Sequence, residues 1–214
     1  MNFVNKRLNN LAFTLAEFLI ILGIVGIIVI VTIPLLNTQS EQIKNVTAWK
    51  KAYGTILQAQ NNIINENGGD LSLGFISNMT PNDFLDGWVP YFQVVKKCYN
   101  NRVIIDGCYK GTFNALDNTA MTNYANSTAA LTLSDGSVLF FYRGMNSYLS
   151  SDSHIFVDVN GSNLPNTLGK DIFVIRYDTT KKLFLAVQGA SCGGGTTGSS
   201  NSIGWYCGAY YLYN

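Results

Sequence analysis

Three sets of residues in this 214-residue chain have types and spacing that bear on chemistry. Glu17 is the one acid inside the apolar run from Phe13 to Leu36. A carboxylate within a membrane-length helix costs roughly 3 kcal/mol at the bilayer centre, so such a group is expected to have a partner and a role. Asp158, Asn160 and Asp171 offer oxygen ligands around a glycine turn, the hard-oxygen chemistry that calcium takes. The same Asp-x-Asn-Gly run is an ordinary Asx turn between strands and lacks the acidic spacing of an EF-hand loop. His154, the only histidine, follows Ser150, Ser151, Asp152 and Ser153. Neighbours in sequence do not make a catalytic triad, which requires nucleophile, base and orienting acid to meet in space, so the reading is a polar loop with one exposed imidazole. No glycine loop followed by Lys and Ser or Thr is present to cradle a phosphate. An enzyme is not expected, and neither is a cofactor beyond the calcium candidate.

The run that carries Glu17 is preceded by a polar leader, Met1 to Ala12, holding Lys6 and Arg7. Twenty-four residues from Phe13 to Leu36 reach about 36 Å as a helix, against a hydrocarbon core of about 30 Å. Lys44, Lys50 and Lys51 lie well beyond the run, so the bias of Lys6 and Arg7 predicts a cytoplasmic leader and an extracytoplasmic remainder. Pro34, Leu35, Leu36 and Asn37 close the run without the small-residue cleavage site of an ordinary secretory signal, so the segment is expected to stay attached.

The stretch Leu11-Ala12-Phe13-Thr14-Leu15-Ala16-Glu17-Phe18-Leu19 resembles the processing site of class III signal peptides, found in type IV pilins and type II secretion pseudopilins. The resemblance implies cleavage by a prepilin peptidase between Ala12 and Phe13 and methylation of the new Phe13 amine. Glu17 would then be the fifth mature residue, and Gly26 and Pro34 fall where pilins carry helix-loosening residues. Ala12 stands where Gly is usual, and Ala is small enough that slower processing is the most this should cause. The physics of Glu17 fits that implication: an amine freed at Phe13 and buried among packed helices needs a counter-charge, because an unpaired buried ion costs several kcal/mol. Its own amine lies about one helical turn away, and a neighbouring subunit's amine can reach it if helices stack with an axial offset. The bland alternative is a single-pass anchor with an incidental acid near the interface.

Removing leader and run leaves roughly 178 residues, enough for one domain with a sizeable core. Fourteen Lys and Arg stand against thirteen acids, so no electrostatic footprint for nucleic acid is present. Cys98, Cys108, Cys192 and Cys207 form two sequence-local pairs, and an even number in an exported chain suggests disulfides. Of three connectivities, Cys98 with Cys108 and Cys192 with Cys207 is favoured because each closes a loop rich in turn formers. The competing zinc reading lacks a close Cys-x-x-Cys knuckle, and His154 is distant in sequence.

From Asn37 to Asn67 apolar residues recur at three and four, with Ile43, Val46, Tyr53, Ile56, Leu57, Gln60, Ile63 and Ile64 on one face. The helix of the apolar run is expected to continue outward to Gly68-Gly69, with Pro34 kinking or loosening it. Thr80 and Pro81 read as a helix start leading through Phe84 and Leu85 towards Val94 and Val95, limited by Pro90. Residues 98–127 are polar and read as a loop region. Strands are predicted at 130–133 and 138–142 around an Asp135-Gly136 turn, then at 155–159, 172–177 and 183–188. The glycine-rich stretch after Cys192 reads as a surface loop before an aromatic end whose Tyr206, Tyr210, Tyr211 and Tyr213 either close the domain edge or form a binding face.

The expected fold is α+β and pilin-like: a long N-terminal helix, half transmembrane and half amphipathic, packed on an antiparallel sheet of four to five strands. The expected organisation is a leader over 1–12, a membrane or filament-core helix over 13–36, and a head over 37–214. Within the head, an amphipathic helix covers 37–67, a loop region 68–128, and sheet with C-terminal disulfide loop 129–214. The expected function is a structural subunit of a secretion pseudopilus or type IV pilus, serving protein secretion, adhesion or DNA uptake. Its partners would be identical or related subunits, the prepilin peptidase, the inner-membrane assembly platform and membrane lipid, without direct nucleic acid. It would sit single-pass in the bacterial cytoplasmic membrane, head outward, and later in a periplasmic or cell-surface filament. The rival reading is a membrane-anchored binding or adhesion domain that never polymerises.

Overall fold

A computed structural model describes residues 14–75, 79–99, 102–121, 129–142, 149–189, 191–193 and 203–214. The side chains of 29–38, 73 and 81 lie outside that description. The chain divides into two compact units, Met1–Glu41 and Gln42–Asn214. Helix α1 runs Leu15–Glu66. It stops where the sequence predicts: Gly68 and Gly69 have φ of 87° and 99°, and the Gly69 N–H reaches back to the Ile64 carbonyl at 2.8 Å, the closure that a left-handed glycine permits.

Within the second unit the helix turns Trp49, Tyr53, Ile56, Ala59, Gln60 and Ile63 inward, a spacing of three and four that keeps one face on a sheet. Ile43, placed on that face by its spacing, is instead 67% exposed, and Trp49, unremarked in the pattern, is fully buried. Its ring stacks on Phe173 at 4.9 Å, and its Nε1–H donates to the Gly208 carbonyl at 2.9 Å. The first anchor of the face is therefore an aromatic nearly two turns further along.

The sheet is a six-stranded antiparallel meander in chain order: β1 Val94–Cys98, β2 Ala129–Leu133, β3 Val138–Tyr142, β4 His154–Asp158, β5 Ile172–Asp178 and β6 Leu183–Ala186. The β2–β3 turn forms as its Asp-Gly signal predicts, with the Gly136 N–H donating to the Leu133 carbonyl at 3.0 Å and Gly136 at φ 88°. One sheet face, with Leu131, Leu139, Phe141, Ile155, Val157, Phe173, Ile175 and Phe184, packs with the buried helix side chains into a single core. The other face carries Ala130, Val138, Phe140, Phe156, Ile172 and Val174, and it is covered by Val103, Tyr109, Phe113 and Leu168. Burial on both faces explains why β3, β4 and β5 read as unbroken apolar runs rather than alternating ones.

The expected pilin-like fold is corrected on two counts. The sheet has six strands, not four or five. Among the described residues no helix is long and apolar enough to cross a membrane. Within the N-terminal apolar run of α1 the described side chains are those of 15–28, and fourteen residues rise only about 21 Å against a core of about 30 Å.

The extra strand arises inside the stretch read as helix and loop. Helix α2, Pro81–Trp88, starts on a capping box between Thr80 and Asp83, and a 3₁₀ turn, Val89–Tyr91, follows it. Pro90 has no N–H to continue the α-helix, and the chain leaves extended into β1. The polar stretch after Cys98 is likewise more than a connection: Val103, Tyr109, Phe113, Ala115 and Met121 are buried and form the second core layer.

Both favoured disulfides are present, Cys98–Cys108 and Cys192–Cys207. The first ties the end of β1 to the covering layer. The second ties the start of helix α3, Cys207–Tyr213, to the segment after β6. A Cβ at Gly169, where φ is 84°, would lie 2.7 Å from the Cys207 sulfur, so this bond depends on a glycine opposite it. The C-terminal aromatics accordingly sit on a helix, where the sequence suggested a surface loop and an aromatic end. Cys207, Gly208 and Ala209 are buried, and Tyr211 packs edge-on against Phe173 at 6.1 Å.

Candidate functional site

The N-terminal motif is described from Thr14 onward; the proposed scissile pair, Ala12 and Phe13, lies outside the described residues. Glu17 is not an unengaged acid. Its Oε2 accepts the Thr14 N–H at 2.8 Å and the Thr14 hydroxyl at 2.9 Å, while the Glu17 N–H donates to Thr14 Oγ1 at 3.3 Å. Thr14-Leu15-Ala16-Glu17 is thus a reciprocal capping box that satisfies donors otherwise orphaned at the start of α1. The T-x-x-E spacing was open to reading in the sequence, and Thr14 is the residue the charge-based reading passed over.

Behind this cap the helix is apolar on every side. Leu15, Phe18, Leu19, Ile20, Ile21, Leu22, Ile24, Val25, Ile27 and Ile28 are all 45–79% exposed. A helix without a polar face is a helix meant to be covered. A Cβ built on Gly26 meets nothing within 4 Å, so the glycine leaves surface open rather than relieving a clash in this chain. Pro34 lies within the helical span of α1.

Asp158, Asn160 and Asp171, far apart in sequence, do converge. Asn160 bridges the two acids, its N–H donating to Asp158 Oδ1 at 3.1 Å and its Nδ2 to Asp171 Oδ2 at 3.2 Å. Asp171 also accepts the N–H groups of Asn166 at 2.8 Å and Thr167 at 2.6 Å. Asp158 Oδ1 and both Asp171 oxygens are turned toward N–H donors, and only Asn160 Oδ1 is buried with no hydrogen-bond partner, whereas a calcium site presents six to eight oxygens with free lone pairs to one point. The cluster is the internal brace of the 158–171 loop. Among the described residues, no group of three or more His, Cys, Asp or Glu side chains is placed to hold a metal ion.

Tyr109 completes the brace. Its hydroxyl lies 2.8 Å from both Asp158 Oδ2 and Asn166 Oδ1, two acceptors for one phenolic proton. Burial pushes the Asp158 carboxyl well above the carboxylate range, with Asp171 adding like-charge repulsion against the pull of the Tyr109 hydrogen bond. The Tyr109 hydroxyl is the donor to both the Asp158 carboxyl and the Asn166 amide oxygen. Burial raises Asp171 as well, against the pull of the Thr167 and Asn166 N–H groups. Both aspartates are fully buried, so no substrate reaches them.

His154 is at the start of β4, not on an exposed loop. Its ring meets Trp205 edge-on at 4.8 Å, and Nδ1 is buried with no hydrogen-bond partner. Burial, then the neighbouring Arg176 guanidinium, push it down to about 4. The folded chain holds this histidine neutral where an unfolded chain would protonate it. Its contribution to stability is therefore intact above about pH 6.5 and drains away as pH falls towards 4. Relative to His154→Leu, the native chain should lose about 2 kcal/mol across that window; urea unfolding of both proteins at pH 7 and pH 4.5 measures the difference. Equal slopes for the two would remove the assignment to His154.

Comparison of the chain with family models, with characterised proteins and with solved structures finds no match. The functional reading rests on the residues themselves.

Proposed function

We propose that the chain is a prepilin-like structural subunit, cut between Ala12 and Phe13, methylated on the new amine, and assembled into a secretion pseudopilus or type IV pilus. The observation that carries the reading is the all-round exposure of apolar side chains from Leu15 to Ile28, directly behind the capped Glu17. A second copy's helix or lipid covers such a surface, and a filament core supplies the first where a membrane supplies the second. In this reading the run from Phe13 to Leu36 rests in the cytoplasmic membrane before assembly, with Lys6 and Arg7 inside and the disulfide-bonded remainder outside. The role is mechanical, with energy from cytoplasmic ATPases and partners that are further subunits, the peptidase and the assembly platform.

Mass spectrometry of the mature protein from producing cells, together with sheared surface fractions, tests both steps. A methylated Phe13 terminus in a polymer is the expected result. A mature chain that still begins at Met1 and remains monomeric would favour the anchored, non-polymerising binding domain instead.

A further inference from the structure

At the β5–β6 end of the second unit lies a cavity of about 430 Å³, a size that holds small ligands. Its wall includes Arg176, Lys181, Ser151, Thr179, Gln188 and Tyr213. All thirteen acids of the chain lie among the described residues. Four of them pair with Lys51, Lys97, Arg102 and Lys182, but none forms an ion pair with Arg176 or Lys181. The acid in the wall, Asp178, has Oδ1 committed to the N–H groups of Thr180 and Lys181, each at 2.9 Å. Two cations thus stand near one acid, Asp178, which feels the charge of both without an ion-pair contact.

The rest of the wall mixes polar and aromatic side chains with the aliphatic Leu185, Ala186 and Val187. Ser151 and Thr179 bring hydroxyls, Gln188 an amide, and Tyr213 a ring that is 65% exposed. A planar guanidinium matches a carboxylate in a bidentate fork, and an exposed aromatic ring offers an apolar platform to a sugar's C–H face. Two cations against one acid favour a singly charged carboxylate over a polyphosphate.

We infer that this cavity binds a carboxylate-bearing sugar unit of an acidic polysaccharide, with Arg176 and Lys181 on the carboxylate and Tyr213 against the ring. The site is independent of how the N-terminal helix assembles. Arg176 is the cross-strand neighbour of His154, so the chain's only histidine reports occupancy.

The full chain in non-ionic detergent is titrated with galacturonic acid, with galactose, and with acetate at matched ionic strength. The His154 ring resonances and calorimetry provide the readout. Saturable galacturonate binding that weakens at least tenfold in Arg176→Gln and measurably in Lys181→Gln, with unchanged melting, is the expected result. Absence of saturable binding to the native chain, equal binding by both variants, or acetate acting at the same midpoint as galacturonate would overturn the site. Galactose binding as tightly as galacturonate would overturn the role of the carboxylate.

Discussion

Glu17→Gln is expected to lower incorporation into filaments at least tenfold while leaving the start of α1 intact. Glutamine serves a capping box as well as glutamate does, so it can keep both hydrogen-bonding directions between Thr14 and position 17. It carries no charge, however, and leaves a buried Phe13 amine without a partner. An uncompensated ion among packed helices costs several kcal/mol, and about 1.4 kcal/mol already changes an equilibrium tenfold. Glu17→Ala removes both cap and charge and serves as the control. Quantifying sheared filament subunits from cells carrying each variant separates the two roles. Wild-type assembly by Glu17→Gln with loss only in Glu17→Ala would reduce Glu17 to a helix cap.

The second large effect lies in the core, at Gln60. This side chain is fully buried on α1 and faces the outer edge of β6. Its Oε1 accepts the Phe184 N–H at 2.6 Å and its Nε2 donates to the Phe184 carbonyl at 3.0 Å. One amide thereby acts as a single residue of a seventh strand, closing an edge that would otherwise leave two backbone groups unpaired in the interior. Gln60→Leu restores neither bond, and each buried orphan costs about 1–3 kcal/mol, so a loss of about 3 kcal/mol or more is expected. Gln60→Glu should fare no better despite its shape, because it turns a carboxylate oxygen toward the Phe184 carbonyl. Urea unfolding curves decide it: a shift of under about 1 kcal/mol for Gln60→Leu would show that the β6 edge finds other partners.

Much of this molecule was readable locally. Helix α2 begins at Thr80 and Pro81, the β2–β3 turn sits at Asp135-Gly136, and β3 to β6 lie within a few residues of their predicted spans, because caps, turns and β-branched runs act on their own neighbourhood. The disulfide pairs were legible for the same reason, each closing a short loop. What failed was non-local. The segment after Cys98 looked polar, yet its few large side chains, Tyr109 and Phe113 among them, cover an entire sheet face, and nothing in a window of that sequence says which residues will be recruited. Gln60 was placed correctly on the inward face by spacing, but its role exists only because β6 ends up alongside it.

The chain's own order of residues determines an apolar N-terminal run led by a capped acid, a helix-then-strand plan, and cysteines spaced for local pairing. Those properties follow from periodicity, capping and loop closure, which operate over a few residues. Only the tertiary structure decides that Asp158, Asn160 and Asp171 brace a loop through N–H groups, that His154 is half-buried beside Trp205, and that Arg176 and Lys181 share a cavity with the single acid Asp178. Burial, hydrogen-bond partners and charge surroundings are set by what other segments bring to the same point, so the chemistry of a carboxylate or an imidazole here is a property of the fold.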